Sequence, residues 1–128
     1  MGQRYLTDTN VIIDYFGDKL PQNSKLFLNE IEIIISDVTK IEILGWHKAS
    51  NEQLKQLYSF MDLVTILPIS NEVVNQTISL RQKYRIKLAD AIIAATAIAN
   101  DLTLITRNTK DFEAIEGLSL INPFEISP

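Results

Sequence analysis

Short β-branched runs alternate along this chain with stretches whose apolar residues recur at helical spacing. The runs are Arg4–Thr7 (RYLT), Ile31–Ile35 (IEIII), Leu63–Leu67 (LVTIL), Leu102–Thr106 (LTLIT) and Leu118–Asn122 (LSLIN). Several are apolar nearly throughout, as expected of strands covered on both faces. Between them, Val11, Ile12, Tyr15 and Phe16 predict the buried face of a first helix. Leu54, Leu57, Tyr58 and Met61 follow helical spacing after a Ser50–Gln53 capping box, and Val73, Thr77, Leu80 and Tyr84 do the same after Ser70. Pro21, Gln22 and Asn23 mark a turn, and Pro123 begins a short tail. Strands alternating with helices predict an α/β fold, a mostly parallel sheet with helices on both faces. In such sheets functional sites gather beyond the C-terminal ends of the strands, and several carboxylates fall there.

Asp8, Thr9 and Asn10 separate the first strand from the first helix. Any of the three can cap that helix, since their side chains accept from its first free N–H groups. With Thr9 or Asn10 as the cap, Asp8 faces the crevice and Asn10 can steady its carboxylate. Glu42 lies in SDVTKIEILGW, where Ser36 or Asp37 can cap and Val38, Ile41, Glu42 and Gly45 fall on one helix face. A carboxylate buried on that stripe needs a cation or a proton, whereas one at its edge reaches water. Asp90 lies in KLADAIIAATAIAND, which is apolar almost all round and predicts a buried central helix. Only Lys87 can pair with it locally; the alternative is that Asp90 caps a helix starting at Ala91. Asp111 follows the fourth run, and Thr106 and Asn108 ahead of it can orient a carboxylate or a metal-bound water. Each of these residues also has an ordinary reading as cap, turn or surface charge. What joins them is a shared edge. Three or four carboxylates there repel one another unless a divalent cation holds them, and all-oxygen donors suit Mg²⁺ or Mn²⁺.

Composition removes most competing chemistries. There is no Cys, and His47 is the only His, so zinc sites and His-based triads lack material. His47, in GWHKAS at a helix end, reads as a solvated residue. Four scattered Gly make no phosphate-cradling loop. No stripe of aromatics suggests base stacking, and Trp46 and Tyr58 read as core or interface residues. The most apolar stretch, Ile86 to Ala99, is interrupted by Lys87 and Asp90 and falls short of the ~20 residues of a spanning helix. The start runs straight into a strand, so no signal peptide is expected, and the lack of Cys fits a reducing cytosol.

The 128 residues suit one domain, taken as 1–128, and carry a net charge of −4. An acidic sum argues against a general nucleic-acid binder. Setting four of the 16 acids aside for a metal leaves 12, equal to the 12 bases, so an anionic substrate stays compatible. Local placement then matters. Arg81, Lys83, Arg85 and Lys87 form a basic run before Asp90, and Arg107 and Lys110 flank Asp111.

Taken in order, LTDTNVIIDYF, SDVTKIEIL, KLADAIIAATAIANDLTLITRNTKDF and LSLINPF resemble the PIN-domain family, and within it the VapC-type toxins of toxin–antitoxin pairs. The resemblance covers the chain up to Phe124. It implies a three-layer sandwich with a five-stranded parallel sheet between helices, usually as a homodimer. It implies a Mg²⁺- or Mn²⁺-dependent endoribonuclease leaving 5′-phosphate and 3′-hydroxyl ends, with an acidic pocket of Asp8, Glu42, Asp90 and Asp111. Asp8, Asp90 and Asp111 would hold metal, and Asn10, Thr106 and Asn108 match supporting positions. Arg107, Lys110, Arg85 and Lys87 are candidates for holding flanking RNA phosphates, and a small antitoxin protein is the implied partner. Two further readings remain beside it. One is a catalytically silent module of the same fold. The other is a receiver-like phosphoacceptor domain, disfavoured because LVTILPIS ends without an acid. A haloacid-dehalogenase-type phosphatase would need an acid where Asn10 stands.

Overall fold

A computed structural model describes residues 3–126 of the chain. The β-branched runs do form strands, each shorter than its run: β1 (Tyr5–Thr7), β2 (Ile34–Ser36), β3 (Thr65–Leu67), β4 (Thr103–Ile105) and β5 (Leu120–Ile121). Six α-helices lie among them: α1 (Thr9–Phe16), α2 (Gln22–Glu30), α3 (Asp37–Leu44), α4 (Asn51–Met61), α5 (Asn71–Lys83) and α6 (Leu88–Ala99). The Ser50–Gln53 capping box forms as the sequence predicts, and Ser70 caps α5 through the Val73 N–H.

Every strand pairing is parallel. β4 lies between β1 and β5, with Leu6 opposite Leu104 and Leu104 opposite Leu120. β2 pairs only with β3, Ile35 opposite Ile66. The expected five-stranded sheet is therefore resolved into three strands plus two. β1 and β2 are neighbours, yet no ladder joins them. With three residues in each, a small separation is enough to lose every shared hydrogen bond.

Successive strand residues point to opposite faces, and the core divides accordingly. Leu104 packs with Val73 and Leu80 of α5 and with Ile93 and Ala94 of α6. The adjacent Ile105 packs with Val11 of α1 and Leu28 of α2. Ile34 joins the first cluster, whereas Ile35 meets Ile12, Ile43, Leu57 and Met61 from α1, α3 and α4. Helices thus cover both faces.

Three expectations change. The Pro21–Asn23 turn is the start of α2, which buries only Ser24 and Leu28 and so gives little helical periodicity. Phe16 lies at the rim of the α1 face, 40% exposed. The tail from Pro123 is a 3-10 turn through Glu125, tied down where the Ser24 hydroxyl donates to the Pro123 carbonyl.

Candidate functional site

The parallel register brings the C-terminal ends of β1 and β4 together. Asp8 N–H donates to the Ile105 carbonyl at 2.9 Å, and Thr106 N–H to the Ile121 carbonyl at 3.0 Å. Asp8 and Thr106 therefore leave the sheet side by side. The Thr106 hydroxyl, fully buried, donates to Asp8 Oδ2 at 2.8 Å. Asn10 Nδ2 donates to the same oxygen at 3.1 Å, and Thr9 N–H to Oδ1 at 2.7 Å. Asp8 is thus itself the cap of α1 as well as a site carboxylate, correcting the expectation that Thr9 or Asn10 caps in its place. One carboxylate does both because its two oxygens serve different neighbours.

Burial pushes the Asp8 carboxyl up to about 6; the Thr106 and Thr9 hydrogen bonds oppose that rise, and the charges of Asp90 and Glu42 add to it. Asp90 is also raised, by burial first and then by Asp111 and Glu42, with Lys87 pulling the other way. Asp90 is thus the acid through which the others meet: Asp8 and Glu42 lie within its electrostatic reach on one side and Asp111 on the other. Asp90 sits in the first turn of α6, which Lys87 precedes as the cap residue without a side-chain bond. It does not cap a helix at Ala91, and the positive end of the helix favours its charge.

Glu42 is exposed, not on the buried stripe. The inward face of α3 is Val38, Thr39 and Ile43, while Ile41 is 66% exposed. Periodicity alone cannot foresee this, because Thr39 can be buried only when its hydroxyl has partners. Those partners are Ser36, which caps α3, and Thr9. Thr9 Oγ1 in turn donates to Glu42 Oε1 at 2.5 Å.

A cleft of 340 Å³ is lined by Arg85, Lys87, Asp90, Lys110 and Asp111, together with Tyr84, Ile86, Ala114 and Ile115. Two of the four acids and three of the four candidate phosphate-binding bases meet there. Asp111 ends the 3-10 turn Thr109–Asp111 and is exposed. Asn108 contributes its backbone N–H, which donates to Thr106 Oγ1 at 3.1 Å, and not its side chain. Arg107 behaves differently from the other bases: its Nη1 lies 2.9 and 2.8 Å from the two oxygens of Asp14, a residue 2% exposed. Its backbone N–H donates to Asn10 Oδ1 at 3.2 Å. Asp14 had no place among the candidates, although an acid three residues after Val11 on an apolar helix face was a readable sign of a buried pair.

Among the described residues no three acids stand close enough to form a ready-made metal cage. The donor set still fits Mg²⁺ or Mn²⁺: every side chain offered is a carboxylate, amide or hydroxyl oxygen source, and two carboxyls are held above their ordinary range partly by their neighbours' charge. Mg²⁺ retains several waters and is bound through one or two carboxylates, so a closed cage is not required.

The PIN domain family profile matches residues 5–118. The chain belongs to the PIN-domain family. It is 31% identical over 127 residues to ribonuclease VapC1 of Rickettsia felis, covering 91% of this chain and 93% of that protein. A toxin–antitoxin complex from Klebsiella pneumoniae contains a chain with 37% identity and a TM-score of 0.79, covering 95% of this chain and 99% of that one. VapBC2 from Rickettsia felis, bound to a DNA fragment from its promoter, gives 28% identity, a TM-score of 0.76, and coverage of 94% and 98%. As a PIN domain, the chain carries its acidic edge at the strand ends that the parallel sheet aligns.

Proposed function

We propose that the chain is a metal-dependent endoribonuclease, the toxin member of a type II toxin–antitoxin pair. The observation that carries this reading is the set of acids beyond the strand ends, where Asp8 feels the charges of Asp90 and Glu42, and Asp90 those of Asp111 and Glu42. Carboxylates whose mutual repulsion exceeds the opposing pull of Lys87 suit a bound divalent ion. Asp8, Asp90 and Asp111 would hold it, with Thr106 and Asn10 fixing the Asp8 oxygens. When bound, Mg²⁺ or Mn²⁺ acidifies a water and neutralises charge on the phosphodiester. Glu42 stands as the carboxylate that takes up the proton of the attacking water. Lys110, Arg85 and Lys87 line the cleft beside Asp90 and Asp111, where they would hold the RNA backbone. Cleavage on this scheme leaves a 5′-phosphate and a 3′-hydroxyl.

Partner binding has a surface to use. Ile13, Phe16, Trp46 and Tyr58 are each between 38% and 58% exposed, so Trp46 and Tyr58 fit an interface and not the core. An antitoxin, or a second copy in a homodimer, would cover such side chains. No helix among the described residues is long and apolar enough to cross a membrane, and a cytoplasmic, single-domain protein acting through one continuous edge of the sheet agrees with this reading.

The test is cleavage of total RNA with Mg²⁺, Mn²⁺ or EDTA, run beside thermal melts. The chain should cut only with metal, and metal should raise its melting temperature. Ion at ~100 times its Kd adds about 2.7 kcal/mol to stability. Asp8→Asn, Asp90→Asn and Asp111→Asn should abolish both effects. A wild type indifferent to metal in both assays would overturn the proposal.

A further inference from the structure

The hydroxyl of Thr9 touches two oxygens, Glu42 Oε1 at 2.5 Å and Thr39 Oγ1 at 3.0 Å. A hydroxyl carries one hydrogen, and a carboxylate can only accept. The Thr9 hydrogen therefore goes to Glu42, and Thr39 must give its own to Thr9. Thr39 Oγ1 is then free to accept from Ser36 Oγ, 3.4 Å away at the long end of a hydrogen bond. Ser36 Oγ is fixed in turn by the Thr39 N–H at 3.1 Å. The hydrogens thus run one way, from Ser36 through Thr39 and Thr9 to Glu42. Ser36 and Thr39 are fully buried and Thr9 is 9% exposed, so water does not interrupt the series.

Glu42 itself is exposed. A glutamate on an open helix face has three rotatable bonds and samples many rotamers in water. Here one carboxylate oxygen is tied by a short, charge-assisted bond to a residue whose β-branched side chain is already stiff. We infer that Thr9 is the positioning residue for Glu42, holding its carboxylate toward Asp8 and Asp90 through a buried hydroxyl series anchored at the start of α3. Neither Thr9 nor Thr39 needs a hydroxyl to fill space, since valine has nearly the same shape. Thr9 also joins the two halves of the sheet, because it follows β1 whereas Ser36, Thr39 and Glu42 follow β2. The inference rests on the ribonuclease reading for its consequence in catalysis, but the hold on Glu42 can be measured without it.

The experiment compares wild type, Thr9→Val and Thr9→Ser in two arms. In the first, NMR couplings of the Glu42 side chain are measured on the metal-free protein. They should show one dominant rotamer in wild type and Thr9→Ser and an averaged one in Thr9→Val. In the second, a mixed-sequence fluorophore–quencher RNA is cut with Mn²⁺. Thr9→Val should lose roughly 10–100-fold in kcat, the usual effect of removing a partner that orients a site ligand. KM should stay near the wild-type value and Thr9→Ser should recover most of the rate. A Glu42 equally ordered in Thr9→Val, or an unchanged kcat in that variant, would overturn the inference. A wild type that fails to cut would overturn the ribonuclease reading alone, because the first arm judges Thr9 without metal or substrate.

Discussion

Arg107 and Asp14 form a one-sided ion pair: the carboxylate is 3% exposed, whereas the guanidinium side is 46% exposed. The pair ties the turn after β4 onto α1, where the Arg107 N–H also meets Asn10. Removing the two partners should not cost the same. Arg107→Ala strands a buried charge, and about 2 kcal/mol of destabilisation is expected. That lies below the roughly 3–5 kcal/mol of fully buried pairs because the arginine is screened by water. Asp14→Asn leaves an exposed arginine and a neutral amide, and should cost less. Urea denaturation of both single variants and the double variant gives the asymmetry, and equal costs would contradict it.

The same pair separates Arg107 from the other bases. Replacing Lys110, Arg85 or Lys87 by Gln should each lower the slope of log(kcat/KM) against log[salt] by about 0.7, the value per phosphate contact on a single strand. Arg107→Gln should leave that slope unchanged, since its charge is engaged by Asp14. Cleavage rates between about 50 and 200 mM salt measure the difference. A slope lost with Arg107 would return it to the RNA-binding set.

Asp8 predicts an unusual pH dependence. Its carboxyl rises from 3.8 to about 6 on folding, chiefly through burial. Between those values the folded chain binds the proton more tightly than the unfolded chain, so stability falls as pH rises through this window. The loss is of order 3 kcal/mol in metal-free protein, at 1.36 kcal/mol for each pH unit. Chemical denaturation in EDTA from about pH 4 to pH 7 should show the fall in wild type, and a flatter curve in Asp8→Asn. Bound Mg²⁺ or Mn²⁺ should flatten it as well by favouring the ionised form. A wild-type curve that rises through the window would exclude the raised carboxyl.

Thr7, directly before Asp8, has a fully buried hydroxyl without a hydrogen-bond partner among the described residues. Thr7→Val keeps the shape and removes the unsatisfied group. It should stabilise the chain by about 1 kcal/mol, as relief of a buried unpaired polar atom does. A lower melting temperature in Thr7→Val would mean that the hydroxyl has a partner after all.

The parts of this fold written in local order were readable from the sequence. The strands announce themselves as β-branched runs, and Ser50 and Gln53 spell out a cap that the structure contains. Asp8 reads as a candidate site acid because it stands at a strand end. Helix α2 was not readable, since Leu26 is 50% exposed and its fully buried residues are Ser24 and Leu28, with Phe27 only half-buried beside them. Glu42 reads from its spacing either as a buried acid on the stripe or as an edge residue reaching water, and it is exposed because α3 turns Thr39 inward instead. Arg107 reads from the sequence only as a candidate for RNA because its partner Asp14 lies 93 residues earlier. Pairings at that distance leave no spacing to read.

The same long reach has a consequence during synthesis. β1 finds no strand partner until Thr103–Ile105 exists, and Asp8 lacks its Thr106 hydrogen bond until one residue later. A growing chain therefore carries its first acid with only the local bonds of Thr9 and Asn10 open to it through most of translation, with Asp90 and Asp111 still to come. Pairing across so wide a gap forms late. An acidic edge built this way stays unassembled on the ribosome until the last quarter of these 128 residues has emerged.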